Sequence, residues 1–193
     1  PLALAASYVD MRRSTTADPT TWAATADSVF NSSVNEGYAS AQSAKFAAVA
    51  AQYQIGGLKA GLTYTNTRYI AGNTSLFDGS AVFDNYSTYL KYLVTPATQL
   101  FATYGYTTRH DVSTAQGQAG TAHYNQWAGG VNYSLSKRTG VYAQAVYVRA
   151  SGDAVNARGQ IVAATGVAGD LTLGASAATA GQFATTLGLY HLF

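Results

Sequence analysis

The chain has no cysteine, one methionine and three prolines in 193 residues, and only 10% of it is charged. Without cysteine there are no disulfides and no thiolate metal sites, which is compatible with an oxidising periplasmic route without requiring it. A soluble domain carries about 25% charged residues, so much of this surface is expected not to face water. Yet no apolar run approaches the roughly 20 residues of a transmembrane helix. The net charge is only +2 and no basic cluster is interleaved with aromatics, so nucleic acid is not expected as a partner. His110, His123 and His191 lack ligand spacing, so no metal is expected, and nothing implies a cofactor.

Tyrosine and glycine are plentiful, at 15 and 19 residues, in a chain that is 48% hydrophobic. Few charges, many tyrosines and glycines and no helical span together describe a transmembrane β-barrel. The clearest stretch is residues 124–149. Its first arm places Trp127, Val131, Tyr133 and Leu135 on one face and Gln126, Gly130, Asn132 and Ser134 on the other, the period of two of a strand with one oily and one wet side. The second arm sets Val141, Ala143, Ala145 and Tyr147 against Tyr142, Gln144, Val146 and Val148, with Gln144 alone marking the wet side. Residues 136–139 form a short polar, basic reversal between them. The arms exceed the ~5–6 residues of an ordinary strand and match the ~9–11 needed to cross a bilayer.

The same pattern extends along the chain. Residues 2–11 read as a first strand; PLALAAS has the small residues of a signal-peptide cleavage site but no basic region before it. Residues 12–43 read as a long polar surface loop. Strands at 45–55 and 58–69 reverse at Gly56 and Gly57, with Ala47, Val49, Ala51, Tyr53 and Ile55 facing the same way as Leu58, Ala60, Leu62 and Tyr64. After a loop at 70–84, Tyr86, Thr88, Leu90, Tyr92 and Val94 make an oily parity, Pro96 sits in the reversal, and Leu100, Ala102, Tyr104 and Tyr106 return. A third loop at 111–122 precedes the 124–149 hairpin, a fourth covers about 151–181, and FATTLGLYHLF closes the chain. That makes eight strands. Short turns near 56, 96 and 137 lie on one side, and the long segments holding nearly all the acidic residues lie on the other, as in outer-membrane barrels.

The turn built from Tyr133, Leu135, Ser136, Lys137, Arg138, Thr139, Tyr142 and Ala143 resembles the YxLSKRTxLYA-like hairpin of the general Gram-negative porins. The ending Gly188-Leu189-Tyr190-His191-Leu192-Phe193 is similar to their GxRHxF close, with Tyr190 and Leu192 where basic residues are common. The resemblance implies an all-β fold, a transmembrane antiparallel up-and-down β-barrel in the outer membrane, of which residues 1–193 form the C-terminal part: about eight strands, half of a sixteen-stranded barrel. It implies a homotrimer in outer-membrane lipid, passive diffusion of small hydrophilic solutes and ions, and no catalysis. Leu187, Leu189, His191 and Phe193 then match the assembly signal read by the barrel assembly machinery. The family's acidic constriction loop would belong to the other half.

On that reading Lys59, Lys91 and Arg109 fall on the inward parity as pore-lining cations, with a weak anion preference. Tyr53, Tyr64, Tyr92, Tyr104, Tyr106 and Tyr133 fall outward, as an interfacial girdle. Inward aromatics such as Tyr89, Phe101 and Tyr142 are the positions that stacking on solute rings would need. The alternative is that the eight strands close on themselves as a side-chain-filled barrel, with a structural, adhesive or lipid-acyl hydrolase role. For hydrolysis the candidates are His110 with Asp111, or His123 with nearby loop serines, none in a nucleophile motif.

Overall fold

The computed structural model describes residues 1–13, 22, 30, 32–168 and 179–193. Eight long strands form one antiparallel sheet: β1 (Leu2–Arg12), β2 (Ser43–Ile55), β3 (Leu58–Ile70), β4 (Ser80–Thr95), β5 (Thr98–Arg109), β8 (Ala122–Ser134), β9 (Thr139–Val155) and β11 (Gly181–His191). The short hairpin β6 (Val112–Thr114) and β7 (Gly117–Ala119) stands between β5 and β8, and β10 (Ile161–Ala163) between β9 and β11. Each long strand pairs with its neighbours in chain order, and β10 shares with β11 the free edge of β9. Among the described residues no helix is long and apolar enough to cross a membrane. The long strands run from 11 to 17 residues, enough for a tilted bilayer crossing.

Local chemistry sets the turns. Gly56 takes a positive φ of 53°, open to glycine without steric penalty, so β2 reverses into β3 over two residues. Pro96 follows β4, where Thr95 Oγ1 accepts from the backbone N–H groups of Ala97 (3.2 Å) and Thr98 (3.0 Å). Ser136 Oγ likewise accepts from the N–H groups of Arg138 (3.1 Å) and Thr139 (3.0 Å), the hydroxyl standing in for a backbone turn acceptor. All three short turns lie at one end of the sheet and the long connections at the other.

The register carries each parity across the whole sheet. Leu4, Ala51, Leu62, Thr88, Tyr104, Trp127, Tyr147 and Phe183 are successive partners in one row from β1 to β11. Directly opposed residues share a face, so this row belongs to one surface, and that surface is oily and open: Leu62 is 64% and Leu187 82% exposed. An unbroken apolar face of this extent is untenable in water and ordinary against lipid. The row through Gln54, Lys59, Lys91, Phe101, Gly130, Gln144 and Thr186 belongs to the opposite, inward face. Beside the β4–β5 turn a bulge between Leu93 and Thr95 breaks the alternation, so Leu93 and Val94 are both exposed, where the sequence pattern expected only Val94 to face outward.

The packed core lies on the inward face at the loop end. Tyr69 and Phe83, from β3 and β4, receive Tyr38, which stacks on Tyr69 (5.5 Å between centroids, 1°) and meets Phe77 and Phe83 edge-on. Phe30, Ala41, Ala44, Ala81, Val112, Ala119 and Val155 complete the cluster. This corrects the expectation of a surface loop over 12–43. Its described part, which includes a 3-10 turn at Glu36–Tyr38, folds down over the wall and buries apolar area there; residues 14–21, 23–29 and 31 lie outside the described residues. Three other expected loops also contain strand: β4 already begins at Ser80 within 70–84, 111–122 holds the β6–β7 hairpin, and β9 continues to Val155 and pairs with β10, while residues 169–178 of the last loop lie outside the described residues. Among the described residues β1 and β11 do not pair with each other, so the eight strands are not joined through that seam.

Candidate functional site

The inward face is the candidate site, a wall that the register builds from alternate residues of every long strand. It is small and apolar along β1 and β2, where Ala5, Ala48 and Ala50 lie. From β3 to β8 it turns polar, with Thr63, Thr65, Ser87, Asn85, Thr103, Thr107 and Gln126. Among the described residues no Asp or Glu occupies an inward position on a long strand.

Lys59 and Lys91 are direct cross-strand partners on this wall. Like charges directly opposed on one face are destabilising, and among the described residues no carboxylate pairs with either lysine. Among the described residues the charged contacts lie elsewhere: Arg12 pairs with Asp10 at 3.1 Å, and His110 Nε2 lies 2.7 Å from Asp84 Oδ2. Lys91 Nζ sits 5.8 Å from the centroid of the Tyr89 ring, within cation–π range.

Arg109 shares the inward parity of the two lysines but not their setting. It is 1% exposed, and its guanidinium donates to the carbonyls of His110 (3.1 Å), Ala119 (3.4 Å), Gly120 (2.7 Å) and Asp153. The expectation that it lines the pore is therefore corrected: the β6–β7 hairpin and the end of β9 close over it, and it ties these segments together. A fork of donors with delocalised charge suits such a role.

Below the loop-end core the loops leave a cavity of about 320 Å³ against the wall, bordered by Ser32 and Val34 on one side and by Asn85, Thr107, Tyr124 and Gln126 on the other. Burial pushes the Tyr38 hydroxyl far above its ordinary range and raises the Glu36 carboxyl, the latter opposed by a backbone hydrogen bond from Ala157.

On the outward face, Tyr53, Tyr92, Tyr104 and Tyr133 are exposed and Tyr64 and Tyr106 half-buried. They fall into two groups. Tyr53, Tyr92 and Tyr133 lie toward the short turns. Tyr64, Tyr104 and Tyr106 lie toward the loops: Tyr64 meets Tyr86 at 5.0 Å, Tyr104, Trp127 and Tyr147 follow one another at 5.5 and 5.7 Å, and Tyr106 stacks on His123 at 6.0 Å. Beyond this band the outward face becomes polar: Asp84 accepts from Tyr64 Oη (2.6 Å) and Asn66 Nδ2 (2.9 Å) and pairs with His110. Two aromatic belts around an apolar band are what a bilayer crossing requires.

The triad candidates are not assembled. His110 faces Asp84 rather than Asp111, whose carboxylate accepts from Thr121 at 2.6 Å. His123 Nδ1 meets Tyr106 Oη at 2.8 Å and Thr108 Oγ1 at 3.4 Å, and among the described residues it makes no hydrogen bond to a serine hydroxyl. Among the described residues no three His, Cys, Asp or Glu side chains gather as a metal site. At the end of the chain, Leu187, Leu189 and His191 share the outward parity, His191 Nδ1 lies 2.9 Å from Thr139 Oγ1, and Phe193 is fully exposed.

Sequence reasoning missed one construction on the wall. Tyr89 lies across Gly61, Phe101 across Gly130, Tyr142 across Gly188 and Tyr190 across Gly140; a Cβ added to any of these glycines would clash with the ring, at less than 3.0 Å from its nearest atom. Each ring and its glycine are direct cross-strand partners. The signal was present as glycines and aromatics on inward parities. Matching Tyr89 to Gly61 requires the register across the 71–79 connection, which no local pattern supplies.

An antiparallel sheet of membrane-length strands with an oily aromatic-belted face and a polar face, short turns at one end and long loops at the other, is the wall of an outer-membrane β-barrel. The chain belongs to the Gram-negative porins, whose family model matches residues 1–154, and its place is the outer membrane. Among solved structures it is similar to the outer-membrane-expressed OmpT of Vibrio cholerae, at 23% identity and a TM-score of 0.54 over 78% of this chain and 42% of that one. An in-vitro folded trimer form of the same Vibrio cholerae protein matches at 23% identity and a TM-score of 0.52, and its loop L8 deletion mutant at 18% and 0.54. At these identities the likeness concerns the fold, and the chain spans less than half the length of each structure. No curated protein sequence matches the chain.

Proposed function

We propose that this chain forms one wall of a water-filled pore through which small hydrophilic solutes and ions diffuse passively, with a weak preference for anions, and that it acts as a channel rather than an enzyme. The observation that carries the reading is the inward face itself: polar side chains from β3 to β8, two facing lysines and no carboxylate among the described inward positions. Uncompensated cations in a lumen lower the barrier for anions and raise it for cations. A homotrimer is the assembly we propose, by likeness to the family and to the trimer form of the Vibrio cholerae protein. The terminal residues Leu187, Leu189, His191 and Phe193 are proposed as the mark recognised during insertion; Phe193 is fully exposed, so its deletion should reduce outer-membrane assembly in cells while leaving folding in detergent nearly unchanged.

Planar-bilayer recording tests the pore. Purified protein should give stepwise ohmic conductance, and under a KCl gradient the reversal potential should report anion preference. Replacing Lys59 and Lys91 together by Gln should move that potential toward neutrality. An unchanged potential would reject the charge assignment, and absence of any conductance would reject the pore.

A further inference from the structure

We propose that the inward wall beside Lys91 binds solutes built as a six-membered ring bearing a carboxylate, with the ring stacked on Tyr89 and the carboxylate held by Lys91 and Lys59. This rests on the pore reading and specifies what the pore selects.

The geometry begins with the glycines. Because Gly61 and Gly130 have no side chain, the rings of Tyr89 and Phe101 settle across them instead of standing into the lumen. Each ring has one side against the sheet and the other turned to the solvent side of the wall. The Tyr89 ring is fixed further at its far end, where its hydroxyl donates to Gln52 Oε1 on β2. It therefore spans three strands and has little freedom to lose when a ligand stacks on it, which is what makes a preorganised platform effective. Neither ring is sealed by neighbours; both are half-buried.

Lys91 stands beside the Tyr89 platform, two residues from Tyr89 on its own strand, with its Nζ 5.8 Å from the Tyr89 centroid. Adjacent strands are about 4.8 Å apart, so the Tyr89 ring and the two ammonium groups lie within the span of one small ring acid. The Phe101 ring leans the other way, across Gly130 on β8, and is a separate platform beyond that span. The like-charged Lys59 opposite doubles the attraction for a carboxylate, and an arriving anion relieves the repulsion between the two lysines. The ring-on-glycine arrangement recurs at Tyr142 over Gly188 and Tyr190 over Gly140, further along the same wall, as a second platform without a facing lysine pair.

A flat apolar face beside a carboxylate is common to aromatic acids and to pyranose uronic acids, so both are tested. Current block is measured in bilayers at low ionic strength with benzoate, glucuronate and acetate at equal concentration, and saturation-transfer NMR on the detergent-solubilised protein reads ring contact independently of conduction. The expected result is half-block by a ring acid at a concentration at least fivefold below that for acetate, with the advantage lost in Tyr89→Leu and retained in Phe101→Leu and in Leu62→Ala on the lipid face. Benzoate alone acting identifies an aromatic source, glucuronate alone a sugar source, and either supports the proposal. Equal potency of all three, or saturation transfer unchanged in Tyr89→Leu, overturns it and leaves the pore standing. No conductance with ring contact retained would remove the pore and keep the subsite.

Discussion

Lys59 on β3 and Lys91 on β4 face each other directly across the strand pair, on a wall where no described inward position of a long strand holds Asp or Glu. Such opposed like charges cost about 0.2–1 kcal/mol, and solvent and salt reduce that further. Lys59→Gln and Lys91→Gln should each therefore leave stability unchanged or raise it slightly. A double-mutant cycle from urea unfolding in uncharged micelles should show an unfavourable coupling at low salt that fades at high salt. A favourable coupling would mean that the two ammonium groups share an unseen counter-charge.

Arg109 should behave as a loop anchor. Replacing it by Met leaves the buried carbonyls of Ala119, Gly120 and Asp153 without their donor, and hydrogen bonds to charged groups contribute about 1.5–3 kcal/mol each. Limited proteolysis should then cut within residues 110–121 markedly faster, and single-channel recordings should grow noisier with little change in ion preference. Arg109→Lys keeps the charge but loses the fork, and should recover only part of the protection. A loss of anion preference with intact loops would restore Arg109 to the pore lining.

Tyr38 separates packing from hydrogen bonding. Its ring is enclosed by Tyr69, Phe77 and Phe83, while its hydroxyl has no hydrogen-bond partner among the described residues. Tyr38→Phe should be neutral or stabilising by about 1–3 kcal/mol, because an unsatisfied buried group is removed. Tyr38→Ala should destabilise the loop-end cluster by about 3–5 kcal/mol, the range for large aromatic truncations. Protease protection of the 32–42 segment and the unfolding midpoint in micelles report both.

The Glu36 carboxyl is raised by burial, partly offset by the backbone hydrogen bond from Ala157, so the docked loop holds its proton more tightly than the released loop does. Its contribution to docking is fully present below the ordinary carboxylate value and is lost as pH rises through the raised one. Loop protection against protease should therefore be greatest in acid and fall over that interval, and Glu36→Gln should flatten the dependence. Protection that instead increases with pH would contradict the burial account.

Much of the fold was legible because lipid imposes a strict period. Leu58, Leu62 and Tyr64 alternate with Lys59, Thr63 and Thr65, and a one-residue slip would exchange the whole set, so the outward tyrosines and the inward lysines follow from parity alone. Parity says which way a side chain points and nothing about what covers it, which is why Arg109 read as a lining residue and proves buried. The inward docking of Tyr38 was hidden for the same reason: the 12–43 segment has no sustained period, and its packing partners lie more than thirty residues away on β3 and β4. His110 was matched to Asp111 by adjacency, whereas the sheet brings it Asp84 from the neighbouring strand.

The most direct test uses the absence of cysteine. Leu62→Cys and Thr63→Cys, adjacent on β3, are each exposed to a charged methanethiosulfonate reagent during bilayer recording. The account predicts stepwise loss of conductance for Thr63→Cys, whose thiol faces the lumen, and no response for Leu62→Cys, whose thiol faces lipid. Conductance lost at Leu62→Cys and untouched at Thr63→Cys would contradict it.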